Sequence, residues 1–415
     1  MEAYFVYLNE LINSNKANFS LYPTINWINP YQSAGLIEQR EDLIEKVGGD
    51  WLFKKTKPFY NQISQGCSLC GQGLWSCLFI TNKCNGKCFY CPAAQNEDIV
   101  PSSQQLSFES PEAYAEYVNH FGFKGVSFSG GEPLLYFKKT LTYLQSVRKF
   151  CDPEIYTWLY TNGMLGSPAK FQKLAAAGLD EVRFDIGATA YKLNRILPAK
   201  NTVPNITIEI PAIPEETEKI IALLPEMQKM GVTNLNLHQL RLTTYNAARL
   251  LKRNYTYIPS ERPVVLESEI AALEIMDHAR SHGLELGVNY CSFDYKFRFQ
   301  KAGYRKLVAA KLANEEMITE NGYIRKYDKT SLNYEGILLT DGDNSPLKNA
   351  DNLMLQNKSY KITRASAIME IPINAANQTP VEAVFSGNSE NIPTDETLFK
   401  IWQHEFIEEG LRGDF

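Results

Sequence analysis

From Leu74 to Ser292 the chain alternates short apolar runs with amphipathic stretches, and this restricts its fold more than anything else in its 415 residues. The runs LWSCLFIT, KGVSFSG, EIYTWLYTNG, LDEVRFDI, NITIEIPAI, TNLNLHQL and LELGVNYCS read as strands. Between most of them lie PEAYAEYVNHF, LYFKKTLTYLQSVRKF, PAKFQKLAAAG, EETEKIIALLPEMQKMG and VVLESEIAALEIMDHARSHG, whose apolar residues recur at helical spacing. Strands joined in series by helices are βα units, so the pattern predicts a parallel sheet curled into a complete or partial barrel. Gly178, Gly231 and Gly283 each stand where a helix must stop before the next strand, a position that favours glycine.

The pattern divides the chain into three parts. Residues 1–60 mix aromatic and polar side chains and end in the basic stretch Lys54-Lys55-Thr56-Lys57-Pro58, which reads as a wrapping segment. Residues 61–300 are the barrel. Residues 301–415 carry a basic helical stretch, then short β runs (GYIRKY, YEGILLT, YKITRASAIMEIPI, VEAVFSG) with polar turns, then the helical DETLFKIWQHEFIEEG. They are expected to form a small β-rich domain.

Composition limits the function. With 44% hydrophobic, 12% aromatic and 21% charged residues the chain buries a core. A net charge of −5 gives no basic footprint and disfavours a nucleic-acid partner. Glu2 and Glu10 interrupt the apolar residues at the N-terminus, unlike a secretory signal. No window approaches the roughly 20 apolar residues of a membrane span. The expectation is a cytoplasmic protein without a membrane partner. There its eight cysteines, six of them between Cys67 and Cys91, read as metal ligands, reactive thiols or buried small hydrophobes rather than disulfides.

The sequence FITNKCNGKCFYCP puts Cys84, Cys88 and Cys91 in the loop after the first strand. Three thiolates cannot complete a cluster that takes four ligands, so one iron would stay open to an external ligand. A zinc knuckle, or an electron-transfer cluster with a remote fourth cysteine, uses the same residues. The second strand ends in Ser129-Gly130-Gly131-Glu132-Pro133, where paired glycines permit close backbone approach and a carboxylate can accept from an ammonium. The third ends in Tyr160-Thr161-Asn162-Gly163, whose polar side chains either face a ligand or cap the next helix. Arg183 and Asp185 share one face of the fourth strand by its period of two, and an inward charged pair is costly without a ligand or partner. His238 and Gln239 end the sixth strand, at the barrel face where substrates bind in such folds, or serve there as wall residues bonded to neighbours.

This order of motifs resembles the radical S-adenosylmethionine (SAM) superfamily, whose hallmark is a CxxxCxxC loop with an aromatic residue, here Tyr90, before the third cysteine. The resemblance implies a partial (β/α)6 TIM-like barrel, of six or seven βα units in this chain. It also implies a 4Fe-4S cluster on Cys84, Cys88 and Cys91 that binds SAM at its open iron and cleaves it reductively to a 5′-deoxyadenosyl radical. By the same resemblance Tyr90 packs near the adenine, Ser129 to Glu132 bind the methionine amino group, Thr161 and Asn162 face the SAM pocket, and Arg183 and Asp185 lie on the ribose-contacting strand. His238 orients SAM or substrate. An electron donor such as flavodoxin or ferredoxin is implied as partner.

A second cysteine set lies upstream. The run Gly66 to Cys77 (GCSLCGQGLWSC), with LNLHQL and NYCS further on, resembles an archaeal-type branch described as related to pyruvate formate-lyase activating enzyme. Cys67, Cys70, Cys77 and Cys291 could ligate an auxiliary cluster, although Cys67 and Cys70 precede the first strand while Cys291 ends the last, at opposite barrel ends unless the glycine-rich loop doubles back. Alternatively His278 and His282, four apart on one helix face, complete a zinc site, or the cysteines merely pack. Cys151 reads as an inert thiol. The function expected is hydrogen-atom abstraction from an unassigned substrate, with a glycyl-radical-enzyme activase or an iron-sulfur carrier or sensor as alternatives.

Overall fold

A computed structural model describes residues 2–29, 31–48, 51–104, 106–260 and 262–311, with four short strands beyond them. Seven strands form the centre of the sheet: β1 (Trp75–Thr81), β2 (Gly125–Gly130), β3 (Tyr156–Thr161), β4 (Glu181–Phe184), β5 (Asn205–Pro211), β6 (Asn234–His238) and β7 (Gly287–Cys291). They lie side by side in chain order and every neighbouring pair is parallel. The seventh strand is the run LELGVNYCS, at the upper end of the six or seven βα units expected. Phe59–Tyr60 pairs antiparallel with the outer edge of β7, and Ser102–Ser103 with that of β1.

Two N-terminal helices, α1 (Glu2–Asn18) and α2 (Ala34–Val47), precede the barrel, and α3 (Gln65–Gly71) leads into it. Helices α4 (Pro111–Phe121), α5 (Phe137–Phe150), α6 (Pro168–Ala176), α7 (Thr217–Lys229) and α8 (Leu266–Ser281) make the crossovers. The connection from β4 to β5 uses short 3-10 turns instead. Ser110 and Ser167 begin α4 and α6 in the same way: each side chain accepts from the amide three residues on, and proline fills the first helical position, where no amide partner is needed. Helix α2 lies on α8, with Leu43 and Val47 buried and Arg40 paired with Glu269 at 3.2 Å.

Strand period sorts the side chains. Val182, Phe184, Ile206, Ile208, Ile210, Leu235, Leu237, Val288 and Tyr290 are buried in the main apolar core. Each aliphatic among them contributes roughly 1.5–3 kcal/mol by leaving water. The alternate positions carry Glu181, Arg183, Thr207, Glu209, Asn236, His238, Asn289 and Cys291, which bond to one another on the opposite, inward face. The inside of the sheet is therefore polar, where barrels of this type usually stack branched aliphatics. A polar interior is stable only when its groups are satisfied.

Two antiparallel hairpins, Ile324–Tyr327 with Tyr334–Ile337 and Met354–Gln356 with Ser359–Lys361, are described beyond the barrel. The rest of the expected C-terminal β-rich domain and its closing helix lie outside the described residues. No helix among the described residues is long and apolar enough to cross a membrane.

Candidate active site

The site lies at the C-terminal ends of the parallel strands, where a cavity of about 400 Å³ is lined by residues from β1 round to the segment after β7. The loop after β1 supplies Cys84, Cys88, Tyr90, Pro92 and Gln95. The strand ends supply Ser129 to Gly131, Tyr160 to Asn162, Asp185, Glu209, Pro211 and His238. Gln239 to Arg241, Phe293 and Lys296 close the far side.

The cysteine loop is clamped from two directions. On one side the Gly131 amide donates to the Thr81 carbonyl (2.7 Å) and the Glu132 amide to the Lys83 carbonyl (2.8 Å). A Cβ on Gly131 would sit 2.0 Å from the Lys83 oxygen, and one on Gly130, where φ is +119°, 2.1 Å from that of Thr81. The glycine pair is needed so that two strand ends can touch, and both glycines also line the cavity. On the other side Arg249 donates to the carbonyls of Cys88 (3.3 Å) and Cys91 (3.2 Å), and Asn246 to that of Tyr90 (3.1 Å). No local signal in the sequence marks Asn246 or Arg249.

Glu132 departs from its expected role. Its side chain is fully buried, with Oε1 accepting from the Leu134 amide (3.0 Å) and the Thr161 hydroxyl (2.8 Å), and Oε2 from the Asn162 amide (2.8 Å). It ties the end of β2 to the end of β3. Burial nonetheless raises its pKa. Asn162 passes the restraint on, donating to Asn85 Oδ1 (2.7 Å) and to the Cys84 sulfur (3.8 Å). Thr161 and Asn162 face the cavity and accept from the Gly163 and Met164 amides, while the next helix is capped by Ser167.

Arg183 and Asp185 part company. Asp185 lines the cavity and accepts the Tyr90 hydroxyl at 2.9 Å. Burial pushes it up to about 6 against that hydrogen bond. Arg183 lies deeper, 3% exposed, bonded to Glu181 (2.9 Å), Glu209 (2.8 Å) and the Ser64 hydroxyl (2.9 Å), with its guanidinium over Trp158. Its partners are protein groups, so the ribose contact implied by resemblance is corrected to a place in the barrel's internal network.

Glu209 extends that network into the cavity. The sequence shows only a lone carboxylate among the isoleucines of NITIEIPAI, at an inward position by strand period. Its Oε1 accepts from His238 Nε2 at 2.5 Å, and Lys296 Nζ lies 3.1 Å from His238 Nδ1. Burial alone would raise Glu209, but Arg183 and then His238 hold it well below the carboxylate range. Burial first, then Lys296, lowers His238. A neutral imidazole that donates from Nε2 and accepts at Nδ1 fits both partners.

Of the upstream cysteines, Cys67 and Cys291 are buried and Cys70 is half-buried. Cys77 sits in β1 against Ser127 and Ser129 of β2. His278 and His282 stack ring on ring at 3.8 Å, and His282 is exposed at the end of α8. Cys151 packs with its thiol toward the Ala115 carbonyl.

Residues 78–224 match the family model described as Radical SAM superfamily. A protein of Methanocaldococcus jannaschii, provisionally named as a glycyl-radical enzyme activating enzyme, is 26% identical over 314 residues, covering 72% of this chain and 79% of its own length. The GTP 3′,8-cyclase of Staphylococcus carnosus is 30% identical over 136 residues, 32% of this chain and 39% of the cyclase. Among solved structures, the FeFe-hydrogenase maturase HydG from Carboxydothermus hydrogenoformans aligns with a TM-score of 0.35 at 16% identity, covering 68% of this chain and 75% of that one. Residues 78–224 are thus a radical SAM domain, and the chain is a radical SAM enzyme. Its superfamily uses a 4Fe-4S cluster and SAM.

Proposed function

We propose that Cys84, Cys88 and Cys91 hold the cluster and that SAM occupies the cavity above them, where its reductive cleavage starts hydrogen-atom abstraction from a substrate. The observation that carries this reading is the CxxxCxxC loop, clamped at the rim of a cavity of about 400 Å³ that is large enough for a cofactor-sized ligand. The residues fit the group. Burial raises the three thiols, Cys88 to about 12, so iron would displace their protons on binding. Asn162 donates toward the Cys84 sulfur, as donors around cluster thiolates do.

When bound, the cluster supplies one electron and the SAM it reduces supplies the radical. This chain's own residues do the rest. Tyr90, fixed by Asp185, presents an aromatic wall beside the loop, and Ser129 to Gly131 offer backbone polar groups at the strand end. His238, held by Glu209, and Lys296, which donates to His238, face the far side, where a substrate or the SAM carboxylate would be oriented. The similarity to the provisionally named activating enzyme, over 79% of its length, favours a glycyl-radical protein as substrate. Flavodoxin or ferredoxin serves as donor in the cytoplasm.

The test is anaerobic reconstitution followed by reduction with dithionite in the presence of SAM. The wild type is expected to release 5′-deoxyadenosine, and the Cys84→Ala, Cys88→Ala, Cys91→Ala variant to release none and to lose the SAM-responsive electron paramagnetic resonance signal. Product from that variant would end the assignment of the three cysteines.

A further inference from the structure

Helix α3 turns back into the barrel instead of staying outside it. A Cβ on Gly66 would lie 2.4 Å from Arg183 Nη2, and Tyr295 donates its hydroxyl to the Cys67 carbonyl at 3.3 Å. The topological objection to joining Cys67 and Cys70 with Cys291 therefore falls, since the doubled-back helix delivers its sulfurs to the inward faces of β6 and β7. A hydrogen-bond chain connects them. Asn236 donates to the Cys67 sulfur at 3.2 Å and accepts from Asn289, whose Oδ1 accepts from Lys57 Nζ at 2.7 Å. Lys57 also donates to the Cys291 sulfur at 2.8 Å. Cys70, one helical turn from Cys67 and near enough to feel both other thiols, accepts from Gln300 Nε2 at 3.0 Å.

Each of the three sulfurs thus accepts an N–H group, and each donor comes from a different segment of the chain. A neutral thiol is a weak acceptor, so nothing in its own chemistry calls for three such donors, whereas anionic sulfur requires them. Lys57 adds an independent observation. It belongs to the basic stretch that ends the N-terminal segment, yet it is fully buried, and among the described residues no carboxylate pairs with it. The nearby carboxylates, Glu181 and Glu209, already hold Arg183 and His238. A buried ammonium without a counter-charge is costly, and the sulfurs around it are the groups able to supply the charge.

We infer that Cys67, Cys70 and Cys291 ligate a second iron-sulfur cluster inside the barrel, with Lys57, Asn236 and Gln300 as its hydrogen-bond donors. Three sulfurs again leave one iron without a protein ligand. Cys77 and the pair His278 and His282 take no part. The site adjoins the cavity, because Cys291 is the strand partner of His238.

The experiment reconstitutes the full chain anaerobically with iron and sulfide and counts both, with zinc, in three proteins. Wild type should hold about eight irons, and the Cys84→Ala, Cys88→Ala, Cys91→Ala variant about four that do not respond to SAM. The Cys67→Ala, Cys70→Ala, Cys291→Ala variant should hold about four that do respond. No iron in the first variant, or one zinc in place of iron, overturns the proposal. Should the second variant fail to fold, Lys57→Met in the background of the first keeps the ligands but removes the charge. It should retain the four irons with a lower cluster reduction potential. An unchanged potential, or iron lost only when a SAM-responsive signal is lost with it, also overturns the proposal. A SAM response that survives in the first variant would instead refute the assignment of the CxxxCxxC loop.

Discussion

Replacing Arg183 with methionine separates the two roles its position allows. The guanidinium is 3% exposed and bonds two carboxylates, Glu181 at 0% and Glu209 at 9% side-chain exposure. Removing it strands two buried charges next to each other. Breaking a buried pair from one side costs about 3–5 kcal/mol, against almost nothing for an exposed one. With a urea slope of ~3 kcal/mol per molar, the unfolding midpoint should fall by about 1–1.7 M. Affinity for SAM should change little, since Arg183 does not line the cavity. The assay is urea denaturation followed by far-ultraviolet circular dichroism, beside SAM binding by equilibrium dialysis. Adding Glu181→Gln should recover part of the loss by removing one stranded charge, and the non-additivity of the pair measures their coupling. An unchanged midpoint together with a large loss of SAM affinity would refute the structural reading and restore Arg183 as a ligand contact.

Two further outcomes follow from the same geometry. Glu132→Ala strands the Leu134 and Asn162 amides and the Thr161 hydroxyl, each costing about 1–3 kcal/mol, so the Asn162 turn should loosen. Binding of SAM and of an analogue lacking its amino group should then weaken alike, whereas a loss confined to SAM would show that Glu132 meets the ammonium directly. Asp185, raised to about 6 chiefly by burial, keeps in the folded state a proton that an unfolded aspartate releases near 3.9. Stability therefore falls as pH rises from about 4 to about 6, because the native state binds more protons there. Asp185→Asn should flatten that part of the urea-midpoint profile, and an identical slope in the variant would exclude Asp185 as its source.

The seven strands and the helices between them were legible because strand and helix periods depend on neighbours in the chain. The CxxxCxxC loop and the Ser129 to Glu132 motif were legible for the same reason, each being carried by a few consecutive residues. Which way a charged residue pays its desolvation was not legible. Period two placed Arg183 and Asp185 on one face, but only the distance along the strand axis, set by packing around Trp158 and Ser64, sends one to the internal network and the other to the cavity. Glu132 and the glycines before it carry a motif whose spacing is local, while the carbonyls and amides they meet belong to other strands. Lys57 is the sharpest case. In sequence it is one of three lysines before a proline, and its burial against Cys291, 234 residues away, exists only because the segment that follows it, Phe59–Tyr60, pairs with the outer edge of β7.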